Sequence, residues 1–204
     1  MSSQSRAWGI LGGTFDPIHL AHLQLAECAL KELELDKIIF MPAAVPPHKM
    51  NKNITDEKHR LQMTKLAAGY NSRFEVSDME LNMKGASYTA RTLKILKNRH
   101  DRLVFILGAD SYMALETWYK PEIIMSNAEL ACACRDNVTY DILAERSRQY
   151  ALRYGAVTHI LRMPYTHISS TGIRKLIQNG CDASSFLPPK VYNYIRENRL
   201  YEKI

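Results

Sequence analysis

The stretch Trp8-Gly9-Ile10-Leu11-Gly12-Gly13-Thr14-Phe15-Asp16-Pro17-Ile18-His19-Leu20-Ala21-His22 changes character twice. Residues 8–11 read as a short buried strand, and residues 12–17 are rich in turn formers. From about 20 to 34, Leu23, Ala26, Leu30 and Leu33 recur at helical spacing, so an amphipathic helix follows. A strand that feeds a helix through a glycine turn is the opening unit of a parallel α/β sheet. Gly12 and Gly13 let the backbone approach an anion closely and permit dihedrals that other residues avoid. The helix start adds unpaired N–H groups and the positive end of a dipole, which together make an anion site. His19 and His22 are three apart and share one face of the opening turn. A basic residue there opposes the dipole unless an anion stands in front of it. Spacing alone leaves two other readings open, a pair of core or surface histidines and a metal pair. The stretch is neither a Walker loop, since no Gly-Lys-Ser/Thr follows, nor a GxGxxG fingerprint.

The alternation continues along the chain. Strands are predicted at 37–41, 74–77, 103–107, 130–134 and 159–162. Helices are predicted at 55–69 (with Thr55 as cap), 87–99, 118–126, 140–154, 170–179 and 189–198. This pattern predicts an α/β fold, Rossmann-like and doubly wound, with a mainly parallel sheet and helices on both faces. Ligands in such sheets bind beyond the carboxyl ends of the strands, near the switch in strand order. A length of 204 residues suits one domain, 1–204, with about 168–204 as its C-terminal helical extension. Val191, Tyr194 and Ile195 share a face there, which predicts docking on the core rather than on a membrane.

A second donor-rich helix start reads Ile168-Ser169-Ser170-Thr171-Gly172-Ile173-Arg174. One hydroxyl is enough for a cap, so three in a row leave donors for phosphate oxygens. Arg174 again puts a cation in a first turn, and its planar fork suits a phosphate. The competing reading is an ordinary capped helix with an exposed Arg.

Composition sets the outer limits. The excess of 27 Lys and Arg over 21 Asp and Glu, a net charge of +6, favours an anionic partner without separating nucleotide from nucleic acid. No basic stripe or stacking array supports nucleic acid, and Lys94, Lys97, Arg99, His100 and Arg102 read as a solvated face and turn. Cys28, Cys132, Cys134 and Cys181 lack zinc spacing and are expected as free thiols; no metal-ligating set is expected. No signal peptide opens the chain, and no apolar run approaches the ~20 residues of a membrane helix. A cytoplasmic protein with no membrane partner is the expectation. The oligomeric state stays open, a homo-oligomer included.

Gly12 to His22 resembles the nucleotidyltransferase pattern of a glycine turn followed by His-x-x-His, and ISSTGIR resembles the second signature of that superfamily. Three further segments narrow the resemblance: Val45-Pro46-Pro47-His48-Lys49, Ala86-Ser87-Tyr88-Thr89, and Leu107-Gly108-Ala109-Asp110-Ser111 followed by Thr117-Trp118-Tyr119. Together they look like the bacterial nicotinate-nucleotide adenylyltransferases, over nearly the whole chain. One departure is Ala21, where the family has Gly before its second His.

The resemblance implies transfer of AMP from ATP to nicotinate mononucleotide, giving nicotinate adenine dinucleotide and pyrophosphate, in NAD biosynthesis. It implies that Gly12, Gly13, Thr14 and Phe15, with His19 and His22, meet the ATP phosphates. Ser169, Ser170, Thr171 and Arg174 would hold the triphosphate from the other side, and Lys49 would reach it from a loop. His19, His22 and Arg174 are the catalytic candidates. Asp110 would bind ribose hydroxyls, Trp118 would stack on the pyridine ring, and backbone N–H groups near Thr89 and Tyr119 would receive the nicotinate carboxylate. Mg2+ would arrive on the ATP phosphates. Alternatives are a related enzyme acting on nicotinamide mononucleotide or pantetheine phosphate, and a non-catalytic nucleotide sensor.

Overall fold

The structure is a computed structural model; it describes residues 6–44, 54–83, 88–98, 102–134, 138–163 and 167–202. Six strands form one sheet: β1 (Ala7–Gly13), β2 (Lys37–Pro42), β3 (Phe74–Val76), β4 (Arg102–Gly108), β5 (Glu129–Ala133) and β6 (Thr158–Leu161). Every pairing is parallel and the order is β3-β2-β1-β4-β5-β6. That is the doubly wound order, with its switch between β1 and β4.

The reason lies in the apolar runs. Strands buried on both faces need apolar residues at successive positions, and the pleat sends neighbours to opposite sides. Ile10, Ile39, Met41, Phe105, Leu107, Leu130 and Cys132 therefore join one core. Leu11, Ile38, Phe40, Val104, Ile106, Ala131 and Ala133 join the other. On the first side lie α3 (Thr89–Lys97), α4 (Ala109–Met113), α5 (Pro121–Asn127) and α6 (Tyr140–Tyr154). On the second lie α1 (Leu20–Glu32), α2 (Glu57–Ala68), α7 (Ser170–Gln178) and α8 (Pro189–Glu197). As the amphipathic pattern predicts, α8 docks: Val191 and Ile195 are buried, and Tyr194 OH pairs with His59 Nδ1 of α2 at 2.8 Å.

Several local expectations are corrected. Asp56, not Thr55, caps α2, its side chain accepting from Lys58 N. The predicted helix 118–126 begins only at Pro121, because a residue before proline is pushed out of the helical region; Lys120 sits in the left-handed region at φ 52°. The helical residues 109–117 are absent from the expectation. Arg102 is not part of a solvated face: its Nε and Nη2 grip Glu129 at 3.0 and 2.8 Å, and His159 Nε2 meets the same carboxylate at 2.7 Å. The Arg102 guanidinium, followed by His159, holds the Glu129 carboxyl below its ordinary range. Among the described residues the cysteines are unbridged, and no helix is long and apolar enough to cross a membrane.

Candidate active site

Two lobes open at the carboxyl ends of β1 and β4, where the order switches. One, about 320 Å³, carries His19, His22, Asp16, Thr171 and Arg174. The other, about 770 Å³, carries Tyr88, Thr89, Phe105, Trp118 and Tyr119. They share a wall made of Gly12, Gly13, Thr14, Gly108, Asp110 and Ser111. The first holds the two histidines and the arginine, the second four aromatic rings, those of Tyr88, Phe105, Trp118 and Tyr119.

The turn that forms the wall is not built as its glycines suggest. Neither Gly12 nor Gly13 has a positive φ; that conformation falls on Phe15, at φ 49°. The glycines serve packing. A Cβ on Gly13 would lie 2.8 Å from the Phe15 ring, and one on Gly12 would lie 3.3 Å from Phe105. Phe15 is buried, and its ring meets the His22 ring edge-on at a centroid distance of 5.1 Å. The Asp16–Pro17 bond is cis.

His19 occupies the cap position of α1 rather than its first turn, with extended backbone angles. Its N–H donates to His22 Nδ1 at 3.2 Å, which is a capping arrangement. The two rings stack with centroids 3.7 Å apart. An Nδ1 that accepts a hydrogen bond leaves the proton of the neutral His22 ring on Nε2. His22 therefore offers an N–H donor as well as a ring face. Ala21, in place of the family glycine, lines the same lobe.

The second signature packs directly against the first. Ser170 Oγ donates to the Pro17 carbonyl at 2.9 Å, and Arg174 Nη1 donates to the Asp16 carbonyl at 2.6 Å. Ser169 Oγ accepts from Gly172 N at 3.1 Å, so it is the helix cap and does not line the lobe. All three hydroxyls thus have internal partners, since Thr171 Oγ1 accepts from Arg174 Nη2 at 3.4 Å. What the helix start turns to the lobe is Ser170, Thr171 and the Arg174 fork.

Of the remaining expected residues, Thr89, Asp110, Trp118 and Tyr119 all line the second lobe. Trp118 also packs against Phe105 with ring centroids 6.3 Å apart, and the Tyr119 ring lies 4.4 Å from that of Tyr88. Lys49 and His48 fall outside the described residues. Among the described residues no group of three His, Cys, Asp or Glu side chains stands where it could hold a metal ion.

Three contributors escape sequence reasoning. Asp16, read as a turn former, is a buried junction whose carboxylate accepts from Tyr201 OH at 2.8 Å. Arg60 is 2% exposed and donates to four carbonyls, those of Thr55 (3.0 Å), Thr14 (2.8 Å), Ala43 (2.7 Å) and Ala44 (2.9 Å). Burial pulls its pKa down, and the Asp16 charge works against that. Glu80 is buried in the second lobe and accepts from Thr92 Oγ1 at 2.8 Å. Burial raises the Glu80 carboxyl, and the Thr92 hydrogen bond opposes the shift.

A doubly wound sheet with two donor-rich helix starts beside one switch point is the arrangement of a nucleotidyltransferase-type site. The family model described as cytidylyltransferase-like matches residues 10–176. A Clostridium botulinum protein named "Probable nicotinate-nucleotide adenylyltransferase" is 41% identical over 97% of this chain and 99% of its own length. A Thermoanaerobacter protein of the same name is 39% identical over 96% of this chain and 94% of its own. The chain belongs to the cytidylyltransferase-like family and, within it, to the nicotinate-nucleotide adenylyltransferases. Plasmodium falciparum nicotinic acid mononucleotide adenylyltransferase, solved in complex with NaAD, shares the fold at a TM-score of 0.79 and 21% identity, covering 96% of this chain and 97% of that one.

Proposed function

We propose that the chain transfers AMP from ATP to nicotinate mononucleotide, releasing pyrophosphate and nicotinate adenine dinucleotide, as a step of NAD biosynthesis in the cytoplasm. The observation that carries this reading is the wall common to both lobes. Two phosphate-bearing ligands, one in each lobe, would meet across Gly12, Gly13, Thr14 and Asp110.

The reaction is an in-line attack of the mononucleotide 5′-phosphate oxygen on the α-phosphorus of ATP, with pyrophosphate leaving. A phosphate monoester has a second pKa of about 6, so the nucleophile is already largely ionised at neutral pH and needs no general base. The task is to bring two polyanions together and to neutralise charge that moves onto the leaving group. His22 through Nε2–H, the N–H groups of Ser170 and Thr171, and the Arg174 fork are the donors for the triphosphate. His19 supports the His22 ring by stacking. Mg2+ held by the phosphates supplies further neutralisation when bound. In the second lobe Trp118 stacks on the pyridine ring, Asp110 accepts from ribose hydroxyls, and the N-terminus of α3 at Thr89 receives the carboxylate with Tyr119.

A pyrophosphate-release assay tests the reading, with ATP plus nicotinate mononucleotide, nicotinamide mononucleotide or pantetheine phosphate in turn. Release is expected with the first and at least tenfold less with the others. Release that is greatest with pantetheine phosphate, or absent with all three, rejects it.

A further inference from the structure

The contact between Arg174 and Asp16 is weaker than their positions allow. Asp16 is 5% exposed, and a buried carboxylate facing a guanidinium ordinarily closes into a two-point pair at about 2.7–2.9 Å. Here Arg174 Nη1 stands 3.9 Å from Asp16 Oδ2 and donates instead to the Asp16 carbonyl oxygen. The carboxylate is held by other groups: Oδ1 accepts from Tyr201 OH at 2.8 Å, and Oδ2 accepts from Thr55 N at 3.4 Å. Tyr201 comes from the end of the chain, 185 residues away, and its backbone is left-handed at φ 66°. Burial, then the neighbouring Asp16 charge, pushes its phenol well above the usual range, so the phenol keeps its proton and donates.

We propose that Tyr201 is a positioning residue for the triphosphate lobe: by occupying Asp16 Oδ1 it keeps that carboxylate from closing on Arg174, and so leaves the guanidinium turned toward the lobe. The inference rests on the reading of Arg174 as a triphosphate ligand. Without the phenol hydroxyl, Oδ1 is a buried acceptor with no partner, which is costly. Arg174, already within 4 Å of Oδ2, is placed to fill the gap. The fork is then drawn off the phosphates.

Three variants test this: Tyr201→Phe, Arg174→Ala, and Tyr201→Phe combined with Asp16→Asn. Steady-state KM for ATP and for the mononucleotide, kcat and Tm are measured for each. Tyr201→Phe is expected to raise the ATP KM about tenfold, the size of one lost hydrogen bond to a charged group, with the mononucleotide KM within about twofold of wild type. Adding Asp16→Asn removes the charge that competes for Arg174 and brings the ATP KM back toward wild type. A purely structural Tyr201 would lower Tm, move both KM values together and be made worse by the second change, which overturns the proposal. An unchanged ATP KM in Tyr201→Phe alongside an impaired Arg174→Ala overturns it alone. A wild-type ATP KM in Arg174→Ala overturns the reading of the lobe and this inference with it.

Discussion

Replacing Arg60 by Met removes a guanidinium that ties three parts of the site together. Its hydrogen bonds reach Thr14 in the shared wall, Ala43 and Ala44 beyond β2, and Thr55 ahead of α2. Hydrogen bonds to a charged group contribute about 1.5–3 kcal/mol each, so four lost outright would rival the ~5–15 kcal/mol stability of a whole domain. Two effects reduce that. Thr14, Ala43, Ala44 and Thr55 are only half-buried, so water can reach some of the vacated carbonyls. Arg60 also suffers desolvation in the fold, which is why its pKa is lowered, and Met does not. The expected loss is about 3–5 kcal/mol, the usual result of removing one member of a buried charged cluster. For a chain of this size about 2–4 °C of Tm accompanies each kcal/mol, so Tm falls by roughly 6–20 °C. Arg60→Lys recovers part of the loss at most, because three donors on one ammonium cannot reproduce the fork. Scanning calorimetry reads both variants. An Arg60→Met protein that melts within about 2 °C of wild type refutes the argument, since the four carbonyls would then have other adequate partners.

Other substitutions probe the lobes. His22→Ala should lower kcat about 100-fold or more, the scale of one lost transition-state donor, and near-normal turnover would remove His22 from the chemistry. Trp118→Ala should raise the mononucleotide KM by the ~1–3 kcal/mol of a lost ring stack while sparing ATP; unchanged mononucleotide kinetics would leave Trp118 a packing residue against Phe105. Gly13→Ala drives a methyl into the Phe15 ring that edges His22, whereas Gly9→Ala crowds Ile38, Ile106 and Leu35. Both should cost about 1–3 kcal/mol of stability, but only the first should depress turnover per folded molecule, and equal kinetic effects would deny Phe15 a link to the site. Glu80→Gln tests pH linkage. The folded carboxyl is raised above its unfolded value of about 4.3, so its contribution is complete below that pH and is lost as pH rises through the folded pKa. The variant should gain in Tm relative to wild type as pH increases from about 4, and a difference that stays flat to pH 8 would contradict a buried titrating Glu80.

How legible all this was in the sequence depends on range. The sheet was legible because both of its faces are buried: the stretches 38–41 and 103–107 are apolar without interruption, which few other contexts require. The two helix starts were legible because capping residues and basic side chains lie within a few positions of one another, although His19 is itself the cap residue and Arg174 stands one turn further into α7 than the first-turn reading placed it. Residues 109–117 were missed because a five-residue helix and a single 3-10 turn, Leu115–Thr117, are too short for a periodic signal. Arg60, Asp16 and Tyr201 were illegible for a different reason: their meaning rests on partners 46 and 185 residues away, and nothing in the local pattern marks them.

The same distinction changes what the donor count at residues 169–174 means. Read locally, three hydroxyls were more than one cap requires and left spare ones for phosphate oxygens. In the fold, Ser169 holds its own helix start and Ser170 holds the opposite loop through Pro17. Those hydroxyls keep the two signatures in register, while on the proposed reading the donors for a triphosphate are backbone N–H groups, the Arg174 fork and an imidazole fixed by its neighbour. These groups are set before any ligand arrives, and a dipole already aimed costs little reorganisation when charge develops. It follows that substitutions which loosen the link between the loops should impair turnover even where they remove no group that touches a phosphate.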